Sequence, residues 1–191
     1  MLHPYGMIAV QHLGVGANMA FRRRLLEEVG GFDTTLDVGT PSRGAGDLEM
    51  FHRVLSAGAT IRYEPTALVW HQHRRDMTAL RRQLYDNGRA FGVYLLTLLW
   101  RGTVPRLVTV NYAVRIWGRW LLARLVRRLL GREPLPASLL LAELWGAVHA
   151  PWAYLSTHRH DRAVRRSGEH RSRRPAEVPG PEPGQGLDWC G

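Results

Sequence analysis

At Met77 the chain changes from short segments punctuated by Gly and Pro to long stretches with apolar residues at helical spacing. Before that point, residues 14–73 read as compact α/β material. Asn18 precedes a helical stretch in which Phe21, Leu25 and Val29 share a face, and Gly30-Gly31 ends it. Phe32 to Gly44, rich in Gly, Thr, Asp and Pro, is expected to be a loop. A second helix follows Asp47, with Leu48, Phe51 and Leu55 on one face and Gly58 as its stop. Ile61 and Tyr63 alternate with polar neighbours, and Ala67 to Trp70 is a short apolar run. Both are expected to be strands, separated by a turn at Pro65.

Beyond Met77 the pattern predicts helices. Leu80, Leu84, Gly88, Phe91 and Leu95 keep one face. After Pro105, Val110, Val114, Trp117, Leu121, Leu125 and Leu129 form a stripe, with Arg115, Arg119 and Arg127 largely opposite and Arg128 breaking the separation. Two readings stay open: a helix packed on its own domain, or one lying in a membrane surface with Trp at the interface and Arg towards anionic headgroups. Leu135 to Ser156 is mostly apolar, but Glu143, His149 and Pro151 interrupt it. No run reaches the roughly 18 uninterrupted apolar residues of a membrane-crossing helix. From Arg159 onward Arg is frequent, apolar residues are sparse, and the end is rich in Pro and Gly, so residues 159–191 are expected to be disordered.

With 191 residues, one domain is the default and two small ones are the ceiling. A hydrophobic share of 45% excludes wholesale disorder. The net charge of +10 is carried by 26 basic residues, all of them Arg, and the absence of Lys removes Schiff-base and Walker-A chemistry. Charge alone allows a non-catalytic protein that binds nucleic acid or a membrane surface. The single Cys190 excludes an intrachain disulfide framework and a CxxC metal site. The first six residues lack the charged stretch and apolar run of a signal peptide, so the expected location is cytoplasmic, with peripheral membrane attachment left open.

Three segments are candidates for chemistry. Gly14-Val15-Gly16-Ala17-Asn18 has two glycines of a dinucleotide fingerprint but lacks the third, and tight-turn glycines explain it better. His71-Gln72-His73 would put two imidazoles on one strand face, and two ligands do not make a metal site. Gly44-Ala45-Gly46-Asp47-Leu48-Glu49 hands an Asp from a flexible loop to a helix start. That Asp is either an N-cap or a general base presented at a cleft edge.

Five ordered motifs carry a resemblance. Gly16-Ala17-Asn18-Met19-Ala20-Phe21-Arg22-Arg23, Val29-Gly30-Gly31-Phe32-Asp33, Gly46-Asp47-Leu48-Glu49-Met50-Phe51, Tyr63-Glu64-Pro65 and Val69-Trp70-His71-Gln72-His73-Arg74 resemble family-2 glycosyltransferases. The resemblance implies a GT-A (α/β) fold and, in most members, inverting transfer from a nucleotide sugar to a hydroxyl. It implies that Asp47 is the base, with Gly46 standing where the family has Glu. Asn18 then falls in the segment lining the acceptor side, Glu49 at the second acidic position, and His71 and His73 near the metal or diphosphate.

The family's N-terminal half binds the nucleotide and holds a divalent metal, Mg or Mn, on a DxD pair. No DxD occurs in this chain. The expected organisation is therefore a partial, acceptor-side catalytic domain over 1–76, a helical extension over 77–158 with possible contact to an anionic membrane, and a disordered basic tail over 159–191. The resulting function is glycosyl transfer from a nucleotide sugar to an acceptor hydroxyl, with nucleic acid as the less favoured partner. Standing alone, such a chain is expected to be a poor catalyst.

Overall fold

A computed structural model describes residues 4–70, 76–132 and 136–171. Its helices are α1 (Pro4–Ile8), α2 (Arg23–Val29), α3 (Gly46–Ser56), α4 (Met77–Arg101), α5 (Arg106–Asn111), α6 (Arg119–Leu129), α7 (Ala137–Val148) and α8 (Ala150–Arg171), with 3-10 turns at Val10–His12 and Thr34–Leu36. A π-helical segment, Tyr112–Gly118, joins α5 to α6.

The expected α/β fold, and with it a GT-A core, is not what the chain adopts: the described residues contain no strand. A strand exists only where a neighbour about 4.8 Å away takes its ladder bonds. Among the described residues no segment lies beside 59–70 in that way. Ala67 and Leu68 instead donate to the carbonyls of Glu64 and Thr66 within a local turn. Tyr63, Leu68, Val69 and Trp70 remain exposed, Trp70 at 98%.

The helices read from the sequence form, but not all at the expected limits: α2 begins at Arg23 with Arg22 as its N-cap, so Asn18 does not start it and Phe21 lies before it. Asp76 caps α4, its carboxylate accepting from the Ala79 N–H at 2.7 Å. Gly30, at φ 90°, ends α2 in the left-handed conformation. The central core joins Ile8 and Val10 to Phe51 of α3 and to Ala90, Tyr94 and Leu98 of α4, so it crosses position 76. Pro151 sits in the first turn of α8, where a missing N–H costs nothing. α8 continues through residues 159–171, which the sequence pattern assigned to a disordered tail.

Helices α4 and α7 meet backbone to backbone. A Cβ on Gly88 would lie 2.0 Å from the Glu143 carbonyl oxygen, and one on Gly146 would lie 1.9 Å from that of Tyr85. Close approach through small residues is how helices pack when side chains do not separate them. No described helix is long and apolar enough to cross a membrane.

Buried charge joins α3 to the rest. Glu49, 1% exposed, pairs with Arg53 and with Arg101 from the end of α4. Arg53 also donates to the Val29 and Gly31 carbonyls at the end of α2, and Arg101 to Asp33. Burial would raise the Asp33 carboxyl, but hydrogen bonds from Thr35 and the charge of Arg101 outweigh it and hold it below the ordinary range.

Candidate active site

The loop into α3 is fixed before the helix begins. The hydroxyls of Thr40, Ser42 and, from α8, Thr157 gather at the Thr35 carbonyl, at 3.0, 3.0 and 2.8 Å. From there the backbone passes through Arg43 at φ 64° and Ala45 at φ 80°. Left-handed backbone at residues other than Gly costs on the order of 1–3 kcal/mol and persists where the surroundings impose it, often beside functional groups.

Ala45, not Asp47, is the N-cap of α3. Asp47 lies in the first helical turn, so the capping role considered from the sequence does not apply. Its Oδ2 accepts from the Gly16 N–H and its Oδ1 from the Leu48 N–H, both at 2.9 Å. A Cβ on Gly16 would stand 3.1 Å from Oδ2, so a side chain there would press on the carboxylate. The two-glycine segment that suggested a nucleotide loop therefore seats Asp47.

Asp47 and Gly16 line a cleft of about 970 Å³, at the upper end of the size of small-molecule sites. One wall is the loop side, from Gly14 to Gly16 and from Phe32 to Gly46. The other comes from α4, the π segment and the start of α6, and is built from Phe91, Tyr112, Ile116, Trp117 and Trp120. Phe91 and Trp117 meet edge to face with centroids 5.0 Å apart. The π segment rotates the helix face relative to a 3.6-residue period. Tyr112 is buried and Ile116 and Trp117 line the cleft; of the predicted stripe Trp117 and Leu121 face inward, while Val110, Val114 and Leu129 face outward. Glu143 also reaches the cleft, and its carboxylate takes Arg124 at 2.8 Å within the bundle. Burial raises the Glu143 carboxyl despite that partner.

The structure gives the predicted site residues different places. Asp47 is in the cleft. Asn18, two residues after Gly16, is outside the lining and donates to the Ala67 carbonyl at 2.7 Å. Glu49 points away into the buried pairs with Arg53 and Arg101. His71 and His73 lie outside the described residues. Sequence reasoning missed Asn87, which follows Asp86 on α4 and lines the cleft, and the aromatic wall itself. The Asn87-Gly88 pair beside a helix-spaced Phe91 is the only signal that hinted at it.

A divalent metal does not fit the described donors. No group of three or more His, Cys, Asp or Glu is arranged to hold one among them, and Asp47 and Glu49 diverge. Chemically, the site presents a carboxylate at the edge of an aromatic cleft, an arrangement able to accept a proton from a bound hydroxyl.

No family model and no solved structure matches the chain. Among curated proteins, the pre-mycofactocin glycosyltransferases of two Mycobacterium tuberculosis strains, CDC 1551 / Oshkosh and ATCC 25618 / H37Rv, are each 39% identical over 77 residues. That stretch is 39% of this chain and 15% of each relative, so the chain matches a small part of their length. The match supports a glycosyltransferase relationship. It does not reach to family 2 or to the GT-A fold.

Proposed function

We propose that this chain supplies the acceptor side of a glycosyltransferase, with Asp47 as general base. The observation that carries the reading is the Asp47 carboxylate, anchored on the Gly16 N–H at the edge of a cleft large enough for an acceptor. In the reaction, the acceptor hydroxyl gives its proton to Asp47 as its oxygen attacks the anomeric carbon. The new C–O bond forms as the bond to the nucleotide diphosphate breaks, with inversion. No step is routed through a metal, because the described donors do not fit one. In this reading a separate donor-binding region holds the nucleotide sugar.

The glycosyltransferase match and the order of the sequence motifs support this over a purely electrostatic binding role. The test is mass spectrometry of reactions containing UDP- and GDP-sugars and a fusion of this chain to a glycosyltransferase donor-binding region. A product heavier than an acceptor alcohol by one glycosyl unit is expected. Nucleotide-sugar hydrolysis without any glycosylated product would refute the reading.

Peripheral membrane seating is proposed with it. Leu107, Val114, Leu129, Trp145 and Trp152 are exposed on successive helices, and Arg115 and Arg119 are exposed near them in sequence. Exposed apolar side chains with nearby Arg support an interfacial position.

A further inference from the structure

We infer that the acceptor this cleft takes has an apolar body, aryl or alkyl, carrying the hydroxyl that meets Asp47. The inference rests on the transferase reading for the role of that hydroxyl, but not for what fills the cleft.

The argument starts from what the inner wall offers a ligand. Phe91, Ile116, Trp117 and Trp120 present carbon surface. Most polar tips near this wall already hold a partner within the protein: the Tyr112 hydroxyl accepts from Gln11 at 2.9 Å and keeps only its own proton to give, and Glu143 holds Arg124. Among the described residues that line the cleft, the Gln11 carbonyl oxygen is the one buried acceptor left over. Asn87 alone adds an amide from α4. A sugar or polyol has a hydroxyl on nearly every carbon. Burying it here would strip water from those groups and return few partners, which costs free energy for each unpaired hydroxyl. A ring or alkyl chain loses nothing of the kind and gains burial against the indoles.

The polar groups sit on the loop wall instead. Asp47, with Gly16 beside it, belongs to that wall, and so do Thr34, Asp37 and Arg43. Val38 and Leu36 extend the carbon surface onto it. A ligand with one polar end and an apolar remainder matches this division. The volume, about 970 Å³, leaves room for a body much larger than one ring. The π segment is what turns Ile116 and Trp117 towards the cleft, and such segments recur at ligand sites.

Calorimetry on the full chain, with no donor present, tests this with three probes: 2-phenylethanol, 1-octanol and methyl glucoside. At least tenfold tighter binding of either apolar alcohol over methyl glucoside is expected, and the preferred alcohol identifies the body as aryl or alkyl. Trp117→Ala is expected to weaken that alcohol at least tenfold. Trp117 also packs on Phe91, so Val38→Asp provides a second variant: Val38 is 69% exposed, and its replacement puts charge into the cleft without disturbing the core. It too should weaken binding at least tenfold. Methyl glucoside binding as tightly as the alcohols, no binding by either alcohol, or alcohol affinity unchanged in the folded Val38→Asp chain would overturn the inference. These affinities need no turnover, so their failure leaves the transferase reading to its own assay, and a failed transfer assay leaves them standing.

Discussion

Replacing Gly with Ala inside a helix ordinarily stabilises it by about 1 kcal/mol. At Gly88 and Gly146 the structure predicts the opposite. The added Cβ at Gly88 would meet the Glu143 carbonyl oxygen at 2.0 Å against an ordinary contact of 3.4 Å or more, a shortfall of about 1.4 Å. The obstacle is backbone, which cannot rotate away as a side-chain tip does, so α4 and α7 must move apart. A gap of 0.5–1 Å already forfeits roughly a quarter to a half of each atom pair's attraction along the crossing. Overpacking of this kind costs about 1–3 kcal/mol, and more where relief is blocked. After subtraction of the helix-propensity gain, a net loss of about 2 kcal/mol is expected for either variant. For a chain of this size that lowers Tm by roughly 4–8 °C. Thermal melts followed by circular dichroism measure it. The double variant should fall by less than the two single losses together, because helices already separated admit the second methyl cheaply. A Tm equal to or above the parent for Gly88→Ala and Gly146→Ala would show that the two helices do not meet in this way.

Three further outcomes follow from named groups. His52 is buried, and since the Met7 carbonyl can only accept, Nδ1 carries the proton while Nε2 accepts from Thr103. Burial holds its pKa below the ordinary value, so its contribution to stability is complete above about pH 6.5 and is lost as pH falls through the lower folded value. The stability difference between parent and His52→Gln, from urea titrations, should therefore shrink from pH 7.5 to pH 5; a constant difference would refute the assignment. Glu49→Gln leaves Arg53 and Arg101 without their shared carboxylate. With Arg101 partly open to solvent, the loss is expected to be about 2–3 kcal/mol in the same titrations, and a loss below about 0.5 kcal/mol would make the cluster incidental. Vesicles containing anionic lipid should carry the chain upward in flotation at low salt and release part of it at high salt; a chain that stays at the bottom would end the membrane proposal.

Helix starts and stops were legible because local chemistry decides them. The helical pattern was read from Met77 and Gly30 as a stop after Val29, and α4 begins and α2 ends there. Strands were not legible in the same way. Alternation at Ile61 and Tyr63 describes a side-chain pattern, whereas a strand also needs a partner, and the described residues provide none. The stripe from Val110 to Leu129 held only in part, at Trp117 and Leu121, since a period of 3.6 cannot follow one face through the π segment. At the site, Asp47 was found from its position at a helix start, but its anchor on Gly16 depends on a loop that passes close in space and not in sequence. Glu49, two residues on, looked equivalent and faces the interior, because a two-residue step on a helix turns the side chain through about 200°.

The central claim is that Asp47 takes the acceptor proton, and Asp47→Asn measures it most directly. The amide can still accept from one of the two N–H groups that hold the carboxylate, but it cannot accept a proton in the reaction. Turnover and Tm are to be measured side by side in a fusion of this chain to a glycosyltransferase donor-binding region. A general base contributes typically ~10²–10⁴-fold, so the account predicts turnover lowered by about a hundredfold or more with Tm within about 4 °C of the parent, the equivalent of roughly one lost hydrogen bond. Turnover close to the parent in a folded Asp47→Asn protein would contradict it and leave Asp47 as an anchor for the Gly16 loop.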